Sequence, residues 1–136
     1  MNDWNDLCLH VGVNYQLIKN QPHWLGIEIP FELENVRIKL ERVTAFAEPF
    51  VLVIAMVCSE THVGALAALR YNALIAVGAL VVENDRCYLR AALPLEDLSA
   101  ATLDRLIDFI ARESIKLRRQ FSPSAEVSKI LGMFEE

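Results

Sequence analysis

Two cysteine–histidine pairs are the residues whose types and spacing come closest to catalytic chemistry. Cys58 and His62 lie four positions apart, and one helical turn would place the thiol beside the imidazole, as a thiol nucleophile requires. Cys58 ends an apolar segment, however, and a cysteine in that setting is more commonly a small buried hydrophobe. Cys8 and His10 lie two positions apart and would point to different sides of a helix. A small thiol enzyme that uses Cys58 and His62 is therefore kept only as a remote alternative.

Metal-binding and phosphate-binding signals are weak throughout the sequence. The third histidine, His23, stands beside Trp24, and no two histidines have chelate spacing. None of the five glycines forms a phosphate-cradling loop. The basic cluster from Arg112 to Arg119 is better explained as a solvated helix end that complements the helix dipole than as a phosphate site. The sequence therefore predicts no metal and no cofactor.

Composition indicates one folded domain over residues 1–136. The 13 Lys and Arg stand against 18 Asp and Glu, and the net charge of −5 disfavours nucleic acids and anionic membranes as partners. Hydrophobic residues make up 54%, too many for a disordered chain, and we expect part of this excess to lie in an interface. The uncharged stretches fall far short of the roughly 20 residues that cross a membrane. The acidic start and three widely spaced cysteines predict a cytoplasmic location.

Hydrophobic periodicity predicts an α+β fold with an antiparallel sheet. The predicted order is α-β-β-β-α-β-β-α plus a short C-terminal helix, with helix 3–11, strands 24–33, 36–43 and 50–58, helix 60–77, strands 79–83 and 86–93, and helix 99–120. Alternating apolar and polar residues in the first two strands predict one buried face and one face open to water. Residues 1–121 form the predicted core, and residues 122–136 form the predicted tail helix.

The third predicted strand, residues 50–58, is apolar on both faces. If Val51, Val53, Ala55 and Val57 lay on the open face, they would form an exposed apolar groove. Each exposed valine forgoes roughly 1.5 kcal/mol of burial or more, so several together favour a bound partner. The natural ligand of such a groove is an extended or helical client peptide. The equally supported alternative is a central strand covered by a helix on each side.

Part of the sequence resembles a known family. The segments Leu69–Asn72, Gly78 and Leu89–Leu98 resemble the second half of class I type III secretion chaperones, the Tir-chaperone-like group. In that pattern a leucine-rich helix end leads into a hairpin, and a strand closing on Leu-Pro-Leu leads into the last amphipathic helix. The YbjN-like family is similar over the same stretch. The short first helix and the segment 122–136 depart from the chaperone pattern.

The resemblance implies a small cytoplasmic homodimer without enzymatic activity. Such chaperones hold the N-terminal segment of a secreted effector in a non-globular form. The residues implied for client contact are Trp24, Val51, Val53 and Val57, and those implied for the dimer interface are Leu66, Ala73 and Val81. For the segment 122–136, which is not part of the family pattern, two roles stay open: covering the groove or extending the dimer. The alternative function is that of a YbjN-like regulatory or stress-related interaction protein.

Overall fold

The chain forms six strands and three helices in a computed structural model that describes residues 1, 3–32, 34–59 and 63–121. In chain order the elements are α1 (Trp4–Asn14), β1 (Gln16–Gln21), β2 (Trp24–Phe31), β3 (Glu34–Ala45), β4 (Glu48–Ser59), α2 (Ala65–Leu74), β5 (Ala79–Glu83), β6 (Arg86–Pro94) and α3 (Ala100–Phe121). The strands form one antiparallel sheet of order β1-β2-β3-β4-β6-β5. The predicted α+β class with an antiparallel sheet is confirmed. The predicted tail helix over 122–136 lies outside the described residues.

The structure contains one strand more than the sequence patterns predict. β1 pairs antiparallel with β2, and Pro22 and His23 form the turn between them. Every residue of β1 is exposed, so this edge strand has no alternation of buried and exposed positions. A bulge at Ile18 interrupts the alternation further, because the pairing register shifts between Leu17 and Lys19. The polar stretch before Trp24 therefore predicts only a turn, although most of it is strand.

The hydrophobic core lies between the helices and one face of the sheet. α3 packs against β3, β4 and β6, and its apolar stripe is buried as its periodicity predicts. The stripe consists of Leu103, Leu106, Ile107, Ile110, Ile115 and Leu117. Ser99 caps this helix, because its Oγ accepts a hydrogen bond from the Thr102 amide at 3.1 Å. Within the described ranges, no helix combines the length and the apolar character that crossing a membrane requires.

α1 and α2 flank α3 on the same side of the sheet. Trp4, Leu7 and Val11 of α1 are buried in the core that α3 covers. α2 is tied to α3 by Tyr71, whose hydroxyl donates a hydrogen bond to Glu113 Oε1 at 2.9 Å. Among the described residues, the opposite face of the sheet consequently has no helix packed on it.

The apolar stripe of β4 that one of the two interpretations placed on the open face is in the core. Val51, Val53, Ala55 and Val57 are all buried on the side that α3 covers. β4 is a central strand between β3 and β6, and its branched side chains fill the space beneath α3. Neither of the two interpretations left open for this strand is correct as stated: its valines do not line an exposed groove, and the described helices cover only one of its faces. The open face carries the alternate residues of the same strand.

The second helix is shorter than predicted, and its glycine has a different role. α2 spans Ala65–Leu74 within the predicted 60–77, and residues 60–62 lie outside the described ones. Its position after the predicted helix favours Gly78 as a helix cap, but the glycine lies beyond the helix end and leads into β5 with a φ of 85°. A Cβ at this position would lie 2.8 Å from the carbonyl oxygen of Arg90 on β6. Close approach to the sheet, rather than helix termination, therefore requires glycine here.

Candidate functional site

The face of the sheet opposite the helices carries a band of apolar side chains. Leu52, Ile54 and Met56 alternate with the buried residues of β4 and project to this side. Tyr88 of β6 lies opposite Met56, and Val81 of β5 lies opposite Tyr88. We call this side the open face, defined by Trp24, Leu52, Ile54, Met56, Val81 and Tyr88, all of which are half-buried or exposed. The band therefore runs over β4, β6 and β5, and Lys39 and Glu41 of β3 lie between it and Trp24 on β2.

Two shallow depressions lie side by side on this face, and we call them together the trough. The first has a volume of about 300 Å³ and is lined by Leu52, Ile54, Val81 and Tyr88, among others. The second, of about 210 Å³, extends from Ile54 and Tyr88 to Trp24. Lys39, Ile54 and Tyr88 line both depressions, so the two adjoin over the central strands.

Trp24 closes one end of the trough. The Lys39 Nζ lies 5.1 Å from the centroid of its ring, which is a cation–π distance. Gly26 lies beneath the ring, and a Cβ there would be 3.5 Å from the tryptophan and 3.2 Å from the Cβ of Lys19. The missing side chain lets Trp24 and Lys19 lie close together over the backbone of β2.

The rim of the open face is more basic than the chain as a whole. Its cations are Lys19, Arg37, Lys39 and Arg90, and its carboxylates are Glu28, Glu41 and Glu83. Arg37 and Glu28 pair at 3.8 Å, and Lys39 and Glu41 pair at 3.4 Å. Exposed pairs of this kind contribute little stability, so their charges are available to a ligand. An apolar floor with a mixed but slightly basic rim suits a peptide that has apolar and acidic side chains.

The structure separates the four residues that the resemblance implies for client contact. Trp24 lies on the open face, as expected of a contact residue. Val51, Val53 and Val57 are buried in the core, so they do not reach a client on that face. The pairing register shows which side of β4 faces away from the core, because Lys39, a charged residue of β3, lies opposite Ile54. Both parities of β4 are apolar, and sequence reasoning without the register chose the wrong one.

α2 forms a second apolar surface. Leu66, Leu69 and Leu74 are 60%, 66% and 86% exposed, and no residue of this helix is fully buried. Besides the Tyr71 bond to α3, α2 is held by Asn72, whose amide exchanges two hydrogen bonds with the Leu80 backbone at 2.7 and 3.1 Å. Burial and the hydrogen bond to Glu113 raise the pKa of Tyr71 far above its usual range.

A cavity of about 550 Å³ separates α2 from the C-terminal half of α3. Leu74 and Val77 line one side of it, and Phe109 and Phe121 line the other. Ala68 and Tyr71 pack against the edge of the core, and the cavity limits further apolar contact between α2 and α3. Within the described residues, Leu66, Leu69 and Leu74 are therefore left largely uncovered.

The three residues implied for the dimer interface do not share one flat surface. Leu66 and Ala73 are both exposed on α2, on the helix side of the sheet. Val81 is half-buried and projects to the open face from the edge strand β5. A contact that includes all three would have to wrap around this edge of the sheet.

The cysteine–histidine pairs do not form a nucleophilic site among the described residues. His10 Nε2 donates to Asp104 Oδ1 at 2.8 Å, and the Tyr15 hydroxyl donates to the same oxygen at 2.7 Å. Burial, and then this hydrogen bond, raise the pKa of Tyr15 far above its usual range. Cys58 is buried, and His62 lies outside the described residues. In the described ranges, no three His, Cys, Asp or Glu side chains gather as metal ligands.

The basic cluster on α3 makes contacts within the protein. Arg112 donates through its Nε to both carboxylate oxygens of Asp108, at 3.0 and 2.9 Å. Arg118 donates two hydrogen bonds to the Met56 carbonyl, at 3.1 and 2.7 Å. These contacts support a structural role for the cluster. The sequence itself matches no protein-family model and no curated protein.

Proposed function

We propose that this chain is a non-catalytic, dimeric protein that binds an extended segment of a client, in the manner of a class I type III secretion chaperone. The observation that carries the proposal is the open face, a sheet surface with apolar depressions on which none of the described helices packs. We further propose that it acts in the cytoplasm, where the reducing environment keeps its cysteines as thiols.

The open face suits an extended peptide for geometric reasons. Alternate side chains of a strand-like peptide point to one side, so every second residue could enter the trough. Covering a side chain such as Leu52, Ile54 or Met56 is worth up to about 1.5–3 kcal/mol, in proportion to the area removed from water. β1 is exposed along its whole length at the edge of the sheet, and its backbone offers a second mode of attachment by strand addition.

α2 supports the dimeric part of the proposal. An isologous contact between two copies of α2 would bury Leu66 and Leu69 from each subunit around a twofold axis. The helix leaves these leucines exposed on the side away from its hydrogen bonds to α3. A homodimer would therefore account for apolar surface that the single subunit leaves in water.

The test of client binding compares the full-length protein with two variants. Ile54→Glu places a carboxylate between its cross-strand neighbours Lys39 and Arg90, so the fold tolerates the charge while the trough loses its apolar centre. Leu9→Glu is the matched control, because Leu9 is equally apolar but lies exposed on α1. The immobilised protein is incubated with a lysate of the source cells, and the proteins that it retains are identified by mass spectrometry. The segment of the retained protein that binds is then located and made as a synthetic peptide.

The proposal predicts a peptide that binds the unaltered protein and the Leu9→Glu variant and loses at least tenfold in affinity for the Ile54→Glu variant. The same peptide should shift the fluorescence of Trp24, measured in a Trp4→Phe background. Equal binding to all three proteins, or a Trp24 signal that does not change, would show that the open face is not the site. A folded partner held at the same face would favour the YbjN-like alternative instead.

A further inference from the structure

We propose that Cys58 and Cys87 are a redox modification site, which a hydroperoxide converts into an intramolecular disulfide. The two residues lie directly opposite each other in the antiparallel pair of β4 and β6. Residues opposed in this way have Cα atoms about 4.5–5.5 Å apart. Disulfides need a separation of about 4.4–6.8 Å, so the spacing of opposed strand residues lies within the range that a disulfide spans.

A β-bulge in β4 brings the two thiols to the same side. Met56 projects to the open face, and strict alternation would send Cys58 to that face as well. The register shifts between these two residues, and Cys58 is instead turned towards the core, where Cys87 also lies. Arg118 holds this geometry by donating both hydrogen bonds to the Met56 carbonyl.

The surroundings of the two thiols determine how they would react. Cys58 is 8% exposed and Cys87 is fully buried, so a small oxidant reaches Cys58 first. Burial, with a smaller contribution from the neighbouring Cys58, raises the pKa of Cys87 to about 11. Since the thiolate is the reactive form, the attack of Cys87 that closes the disulfide should be slow at neutral pH and should accelerate as the pH rises.

The reaction balances with hydrogen peroxide as the only oxidant. The Cys58 sulfur attacks one peroxide oxygen, the O–O bond breaks, and the products are a sulfenic acid and one water molecule. The Cys87 sulfur then attacks the Cys58 sulfur, the S–O bond breaks, and the departing hydroxide takes up the thiol proton as a second water. Two thiols lose their hydrogens, and both peroxide oxygens leave as water.

The bond would tie together both ends of the segment that carries α2. The chain between Cys58 and Cys87 contains α2 and β5, and α2 has no fully buried residue. The described contacts that hold this helix are mainly the hydrogen bonds of Tyr71 and Asn72. A disulfide at the base would therefore restrain the most weakly anchored helix of the fold, and we expect it to raise the melting temperature.

The test is a peptide map of the native full-length protein after treatment with hydrogen peroxide. Trypsin places each cysteine on its own peptide, with Cys8 on 1–19, Cys58 on 43–70 and Cys87 on 87–90. The proposal predicts that peptides 43–70 and 87–90 run as one linked species, lighter by two hydrogens than their sum, which a reductant separates. The yield at a given time should rise from about pH 7 to about pH 9.

Three results would overturn the proposal. One is a Cys8-linked peptide as the main product, another is oxidation of Cys58 and Cys87 to separate sulfinic acids, and the third is no oxidation until the protein is unfolded. A Cys8→Ala variant is the matched control and should give the same linked species, whereas Cys58→Ala should abolish it. The linked peptide is detected in the unaltered protein, so this result does not depend on whether any variant folds.

Discussion

At the scale of single residues, Asp104 joins the first helix to the last through one carboxylate. His10 and Tyr15 both donate to its Oδ1, and Asn14 donates in turn to the other ring nitrogen of His10 at 3.2 Å. Replacement by Asp104→Ala removes the acceptor for both bonds and leaves a half-buried imidazole without its partner. We expect the free energy of unfolding, measured by urea denaturation, to fall by about 1–2 kcal/mol.

Asp108→Ala is the matched control for this prediction. Asp108 lies one turn further along α3 and pairs with Arg112 in an exposed i, i+4 arrangement. Such a pair contributes about 0.2–0.5 kcal/mol, so its loss should be small. If the two alanine variants lost equal stability, the Asp104 cluster would not have the role assigned to it.

Residue types alone predict which face of β3 is buried, but they do not predict which face of β4 is buried. The alternation of Arg37 and Lys39 with apolar residues predicts the two faces of β3 correctly, because charged side chains are costly to bury. Val53 and Ile54 are both apolar, so nothing in their chemistry distinguishes the core from the trough. The pairing of Ile54 with Lys39 shows that Ile54 lies on the open face. This pairing depends on how two strands align, so it is not visible in the residues of β4 alone.

At the scale of elements, α2 carries the prediction of dimerisation. The double variant Leu66→Glu with Leu69→Glu places carboxylates on its exposed side, and burying them against a second copy would cost several kcal/mol. We expect light scattering to show a dimer for the unaltered protein and a monomer for this variant. Both leucines are more than half exposed, so the fold of the subunit should be unaffected.

Val13→Glu controls for the effect of a new surface charge. Val13 is 83% exposed at the end of α1, away from α2. This variant should remain dimeric. If the unaltered protein were monomeric, or if the double variant stayed dimeric, α2 would not be the dimer interface. The exposure of its leucines would then have no explanation.

Elements with strong local signals are those that the sequence predicts well. α3 has a broad apolar stripe and a serine cap, and both are present in the structure. Asn84 and Asp85 both have positive φ, at 53° and 63°, as the two-residue turn of the last hairpin requires. β1 has neither a buried face nor an uninterrupted alternation, so its existence depends on pairing with β2. Tertiary contacts, rather than the residues of β1 themselves, make it a strand.

At the scale of the whole molecule, alkaline pH should loosen the attachment of both outer helices to α3. Tyr15 and Tyr71 have pKa values raised well above 10, chiefly by burial and next by their hydrogen bonds to Asp104 and Glu113. Above pH 10 the unfolded chain releases these protons while the folded chain keeps them, so unfolding becomes progressively more favourable. The stabilisation is complete below that pH, and the urea midpoint should fall as the pH rises beyond it.

The double variant Tyr15→Phe with Tyr71→Phe tests this assignment. It lacks both titrating hydroxyls, so its stability should decline less steeply with alkaline pH than that of the unaltered protein. Tyr88→Phe removes a hydroxyl from the open face and should keep the steep decline. Identical profiles for all three proteins would place the alkaline sensitivity in other groups.

The strand order also has a kinetic consequence. β1 to β4 are consecutive neighbours, so each hairpin can form as soon as its own residues have met. β6 pairs with β4 only after the chain has passed through α2 and β5, and this longer loop closure makes its docking the slower step. Until β6 arrives, one side of the most apolar strand has no hydrogen-bonding neighbour. During synthesis, that interval is when the polypeptide is most exposed to aggregation.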